Sequence, residues 1–106
     1  MRKIECIIRP EKFEDVYQAI RKSGAGGMSV TEIEGFGNQR APGKSMVEKI
    51  KIEIYADAFQ TDSIIDTVMK AARTGKIGDG KIAVISLEDM YRIRTGEKGA
   101  RAIKDI

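Results

Sequence analysis

Residues 49–87 read KIKIEIYADAFQTDSIIDTVMKAARTGKIGDGKIAVISL, and this stretch decides the fold. Ile50, Ile52 and Ile54 alternate with Lys51 and Glu53, which is the period of a half-buried strand. With Thr61 or Asp62 as a cap, Ile64, Ile65, Val68, Met69 and Ala72 then form an apolar stripe at helical spacing. Lys70 and Arg73 fall in its last turn, and Gly75 lies just beyond. A glycine-rich turn follows, and KIAVISL is the next strand. Upstream the same order occurs once more. Lys3 to Ile8 are β-prone, Pro10 breaks the run, and Phe13, Val16, Tyr17 and Ile20 recur with helical period until Gly24. MSVTEIEGFG is the second strand, ending at Gly35, and MYRIRT, Met90 to Thr95, reads as one more short strand. Two strand–helix–strand units predict an α+β, ferredoxin-like βαββαβ sandwich: an antiparallel sheet with both helices on one face. Lys51, Glu53 and Tyr55 then point away from the helices, onto a face that is either solvated or packed against neighbouring subunits.

The chain of 106 residues fits one domain, residues 1–106, with one modest core. Cys6 is the single cysteine and there is no histidine, which removes disulfide pairing, zinc clusters and imidazole catalysis from consideration. Cys6, within IECII, is expected in the core. A net charge of +3, from 19 basic and 16 acidic residues interspersed along the chain, does not predict a nucleic-acid face. No window approaches the roughly 20 apolar residues of a membrane span, and the N-terminus is too charged for a signal peptide, so a cytoplasmic protein without membrane insertion is expected.

The loop ARTGKIGDGKI, Ala72 to Ile82, partly matches a phosphate loop: Gly75, four residues, Gly80 and Lys81, but Ile82 stands where Ser or Thr should follow. Its context is also inverted, because it leaves a helix and enters a strand. Locally, glycines that adopt positive φ let the N–H groups of Gly78, Asp79 and Gly80 converge on an anion, with Lys81 adding a charge; the alternative is a plain helix-to-strand turn. The missing hydroxyl and the lack of an obvious base favour binding without turnover. Arg92 and Arg94, alternating around Ile93, would share one face of a strand as two forks for a polyphosphate.

IECIIRP, GMSVTEIEGFG with Gln39 shortly after it, KIKIEI, TGKIGDGKI and RIRTGEKG stand in the order and spacing of the PII signal-transduction proteins, which the chain resembles over nearly its whole length. The resemblance implies a homotrimer that binds ATP or ADP in clefts between subunits. It implies a phosphate-holding B-loop, residues 74–81, with Thr74, Gly78, Asp79, Gly80 and Lys81. It further implies a C-loop, residues 92–99, whose Arg92 and Arg94 reach the nucleotide from the adjacent subunit. Ile7, Glu53 and Tyr55 fall near base and ribose, and Gly35, Gly37, Asn38 and Gln39 at the root of a projecting T-loop, residues 37–48. Mg²⁺ held by Gln39, and 2-oxoglutarate held by Arg9, Gln39 and Lys49, are the further effectors implied; a dicarboxylate needs a cation and a compact ammonium.

Two departures bear on function. The T-loop is shorter than is usual in the family, with RAPGKSMVE alone between Gln39 and Lys49, and it has no tyrosine for nucleotidylation; Asn38 replaces the usual arginine, weakening the preference for ATP over ADP. The expected partner is therefore a membrane transporter other than the usual ammonium channel, such as a metal-efflux or bicarbonate system, or a metabolic enzyme. The leading reading is a non-catalytic sensor. The alternatives are a slow ATPase, with water aligned by Gln39, and an RNA-binding ferredoxin-like domain, for which Tyr55 alone is placed to stack. The last residues, ARAIKDI, are expected as an exposed tail.

Overall fold

A computed structural model describes residues 1–104. In chain order it contains β1 (Arg2–Ile8), α1 (Phe13–Lys22), β2 (Ser29–Gly35), β3 (Val47–Ala56), α2 (Ala58–Ala72) and β4 (Gly80–Ser86), with short 3-10 turns at Pro10–Lys12 and Gly99–Ala102. The sheet order is β2-β3-β1-β4 and every neighbouring pair is antiparallel. This is the ferredoxin-like arrangement that the repeated strand–helix–strand order predicts.

The register explains the core. Ile4 pairs with Ile54 and Val84, and Cys6 with Ile52 and Ile82, so one face of the two central strands is continuously apolar. Ile4, Cys6, Ile52 and Ile54 are fully buried there under Val16 and Ile20 of α1 and Ile64 and Val68 of α2. Each such isoleucine or valine contributes about 1.5–3 kcal/mol by leaving water. Burial pushes the Cys6 thiol up to about 12, consistent with an inert core residue. The opposite face carries Lys3, Glu5, Lys51, Glu53 and Tyr55 and no helix. Glu5 and Glu53 lie directly opposite one another, a repulsive placement that Lys3 offsets by sitting 3.4 Å from the first and 2.7 Å from the second. That pairing raises the Lys3 pKa and lowers that of Glu53.

Three expectations need correction. Helix α2 begins a turn earlier than Thr61 or Asp62: Asp57 precedes it in extended conformation, its N–H donates to Gln60 Oε1 at 3.3 Å, and Thr61 is instead buried, its hydroxyl donating to the Asp57 carbonyl at 3.0 Å. Met90 to Thr95 do not form a strand. Tyr91 bridges to Lys98, the Arg92 and Glu97 backbones bond at 2.8 Å, and Gly96 and Gly99, both at φ 73°, turn the chain back on itself. The segment after it is not an exposed tail, because Ala102 and Ile103 are buried; Asp105 and Ile106 lie outside the described residues. Among the described residues no helix is long and apolar enough to cross a membrane.

Candidate functional site

The loop between α2 and β4 is shaped by a carboxylate. Asp79 turns back and accepts the Thr74 N–H at 2.8 Å, the Thr74 hydroxyl at 2.5 Å and the Gly75 N–H at 2.8 Å. From β1's end, Arg9 Nε donates to the same carboxylate at 3.0 Å, and Arg9 Nη2 donates to the Ile77 carbonyl at 2.8 Å. These bonds, those from Thr74 foremost, hold the Asp79 carboxyl well below the usual carboxylate range. Asp79 and Thr74 are thus ties within the loop rather than groups aimed outward. Glycine is required where the loop enters the sheet: Gly80 sits at φ 104°, and a Cβ there would overlap the Ile7 carbonyl oxygen. At Gly78, φ 105°, a Cβ would collide with the Gln39 side chain.

That collision shows how close the two loops lie. Lys49, near the start of β3, donates to Gln39 Oε1 at 2.6 Å and to the Gly78 carbonyl, joining the β2–β3 connection to the glycine loop. Burial, and then the nearby Arg9 guanidinium, lower the Lys49 pKa from the usual lysine value. The connection itself is a tight hairpin. Pro42 and Gly43 occupy the two central positions of a turn with Gly43 at φ 74°, the Lys44 N–H donates to the Ala41 carbonyl at 3.1 Å, and Arg40 donates to the Gly37 carbonyl.

Between these loops, on the helix-free face of the sheet, lies a cleft of about 350 Å³. Its lining brings together Ile7, Gly35, Gly37, Asn38, Gln39, Lys49, Gly78, Gly80 and Lys81 from the sequence-derived set. Ile33, Phe36, Val47 and Ile77 line it too and were missed. Two of them carried a readable signal: Phe36 and Ile77 are apolar residues in glycine-flanked loops, outside any strand or helix period, and both are exposed. A second hollow of about 360 Å³, on the other side of Gln39, collects Arg9, Gln39 and Lys49 with Lys44.

The remaining residues do not join the cleft within one chain. Glu53 and Tyr55 lie farther along β3. Arg92 does not present a fork outward: its Nη2 donates to the carbonyls of Arg101 at 2.7 Å and Lys104 at 2.8 Å, while Arg94 is exposed at the turn's tip. The expected shared strand face for the two arginines is therefore absent, since the glycines at 96 and 99 curl the segment that would have carried it.

The cleft suits a mixed apolar and anionic ligand: Ile7, Ile33, Phe36 and Val47 offer a slot for a planar group, and Lys81, Lys49 and loop backbone offer charge and dipoles for an anion. Among the described residues no cluster of three His, Cys, Asp or Glu could hold a metal, so a cation here would need ligand oxygens beside Gln39 Oε1.

A protein-family model described as Nitrogen regulatory protein P-II matches residues 1–97. The chain is 42% identical to the Nitrogen regulatory protein P-II of Nostoc punctiforme and 44% identical to Nitrogen regulatory protein P-II 1 of Escherichia coli, each over 112 aligned positions covering 97% of this chain and all of the relative. A solved structure of Arabidopsis thaliana PII, bound to citrate, superposes with a TM-score of 0.87 at 40% identity, covering 99% of this chain and 91% of that one. The aligned 112 positions against 106 residues leave at least six positions of these relatives without a counterpart here.

Proposed function

The chain belongs to the nitrogen regulatory protein P-II family, whose members are named as regulators rather than enzymes, and on that premise we propose that it is a non-catalytic sensor of ATP or ADP. The observation that carries the reading is the cleft itself, where Lys81, the Gly78–Gly80 turn and Lys49 with Gln39 surround one space beside an apolar slot. The base enters between Ile7, Ile33, Phe36 and Val47. The phosphates meet Lys81 and the glycine turn, a strand-entry nest that needs no helix N-terminus.

Arg94, and Arg92 once turned outward, come to this cleft from the adjacent copy in a homotrimer, as do contacts to Glu53 and Tyr55; the helix-free sheet face supplies the packing surface. Gln39 Oε1, once released from Lys49, would help to hold Mg²⁺, whose preference is for a few protein ligands beside those of a nucleotide. A dicarboxylate such as 2-oxoglutarate occupies the neighbouring hollow beside Lys49; a related PII was solved bound to citrate, another small polycarboxylate. Arg9 assists there by exchanging its bond to Asp79. Effector occupancy then shifts the population of conformations at residues 37–48, and this hairpin engages the regulated transporter or enzyme. Its closed Ala41–Lys44 turn makes that element short and preformed, where a longer loop would be ordered only on binding.

Equilibrium dialysis with ADP, ATP, and ATP plus Mg²⁺ and 2-oxoglutarate tests the reading, with sedimentation to give the subunit number. Saturable nucleotide binding, one per chain, by a trimer is expected. No retention at millimolar nucleotide overturns the sensor assignment.

A further inference from the structure

Residues 89–104 fold around a single guanidinium. Arg92 Nη2 has two N–H bonds, and they meet the carbonyls of Arg101 and Lys104 at 2.7 and 2.8 Å. Nη1 lies 3.8 Å from the Glu97 carboxylate. The Nε–H is buried and meets no acceptor among the described residues. The surrounding backbone closes the unit: the Gly99 N–H reaches the Met90 carbonyl at 2.9 Å and Asp89 Oδ1 at 3.1 Å, and Ala102 and Ile103 pack out of solvent. The 3-10 turn Gly99–Ala102 is thus fastened through Arg92.

This fastening is good but incomplete. Among the described residues, two neutral carbonyls and one distant carboxylate serve a group with five donors, and one donor is shielded without a partner, which is costly. A polyphosphate accepts a side-on pair of N–H groups, Nε included, through bonds in which both partners are charged, stronger than those to neutral carbonyls. The same N–H groups cannot do both.

We propose that the C-terminal turn is a built-in competitor for Arg92, so that anionic ligand and residues 99–104 hold this guanidinium in mutually exclusive states. The inference rests on the nucleotide reading above. When a nucleotide's phosphates take Arg92, the carbonyls of Arg101 and Lys104 lose their donor, the turn loosens, and Ala102 and Ile103 become exposed. Ligand occupancy is thereby reported at a second element, separate from the hairpin at residues 37–48. Part of the binding free energy is consumed in opening the clasp, which sets affinity below what the cleft alone would give.

The test uses the full chain and ADP as probe. Amide hydrogen exchange over residues 99–104 is expected to speed up on ADP binding, and exchange that is unchanged or slower overturns the proposal. Ile103→Ser withdraws the turn's apolar anchor while keeping every basic residue, and calorimetry is expected to give about tenfold tighter ADP binding than the unaltered chain, the size of one charge-assisted bond no longer surrendered. Equal or weaker binding by Ile103→Ser, with normal binding by the unaltered chain, refutes the clasp alone. No binding by either chain refutes the nucleotide reading and the clasp together.

Discussion

The two ends of β4 are folded by opposite charges. Before it, residues 74–80 wrap a carboxylate: Asp79 gathers N–H groups of Thr74 and Gly75, the Thr74 hydroxyl and Arg9. After it, residues 89–104 wrap a guanidinium: Arg92 gathers the carbonyls of Arg101 and Lys104. The difference lies in which group is consumed. The Asp79 carboxylate is not a group that an anionic ligand needs, so tying it down fixes the loop and leaves Lys81 presented to the cleft. Arg92 is a group an anion would want, so tying it down withholds it. For a nucleotide's phosphates one region is arranged beforehand, and the other must first be undone.

The sharpest way to break the first region is Gly80→Ala. A Cβ at φ 104°, driven into the Ile7 carbonyl, is expected to cost about 3 kcal/mol or more, read as a lowered midpoint in urea unfolding. A loss below 1 kcal/mol would mean that the loop yields easily and is not preformed. In the second region, Arg92→Ala is expected to cost about 2 kcal/mol through two lost charge-assisted bonds, with faster amide exchange at Ile103. No change in exchange there would show that the turn stands without Arg92.

A smaller effect separates the two by pH. The native Asp79 pKa is depressed, so its stabilisation is present in full above its unfolded value of about 3.9 and drains away as pH falls toward the native value. Asp79→Asn should therefore melt below the unaltered chain at pH 7, the gap closing on acidification, whereas Arg92→Ala keeps its deficit. A gap that does not shrink as pH falls would contradict the role of the carboxylate charge. The smallest expected signal belongs to Lys49. Burial and Arg9 lower its pKa, so the folded chain binds fewer protons than the unfolded one between that lowered value and 10.5, and stability should rise with pH there. A dicarboxylate beside it reverses the shift, and binding in that same window below 10.5 should take up protons, seen as a calorimetric heat that depends on buffer.

Much of this was legible in the sequence, for identifiable reasons. The two central strands and the two helices follow from period, because Ile4, Cys6, Ile52 and Ile54 must share a face under Val16 and Val68. Gly78, Gly80 and Lys81 of the cleft were legible because closely spaced glycines followed by a lysine leave a composition signal, and both glycines do adopt positive φ. The start of α2 was misread because Phe59, 83% exposed, lies outside the apolar stripe while Asp57, four residues before the first candidate cap, does the capping. The alternation of Tyr91 and Ile93 with Arg92 and Arg94 imitates a strand inside out: Ile93 is fully exposed and the Arg92 side chain is only 20% exposed. No local rule gives that inversion, since it depends on carbonyls about ten residues downstream. The tie made by the Asp79 side chain was not legible for a related reason: its carboxylate is held by Arg9, which stands about seventy residues away in sequence.

The central claim is that the space among Lys81, the glycine turn and the Gln39 loop holds the phosphates of an adenine nucleotide. Calorimetric titration of ADP into the unaltered chain and into Lys81→Ala tests it most directly. The account predicts saturable binding by the first and a loss of about tenfold to a hundredfold in the second, the contribution of one charge-assisted contact. Equal affinities, or no heat from the unaltered chain at millimolar ADP, would contradict it.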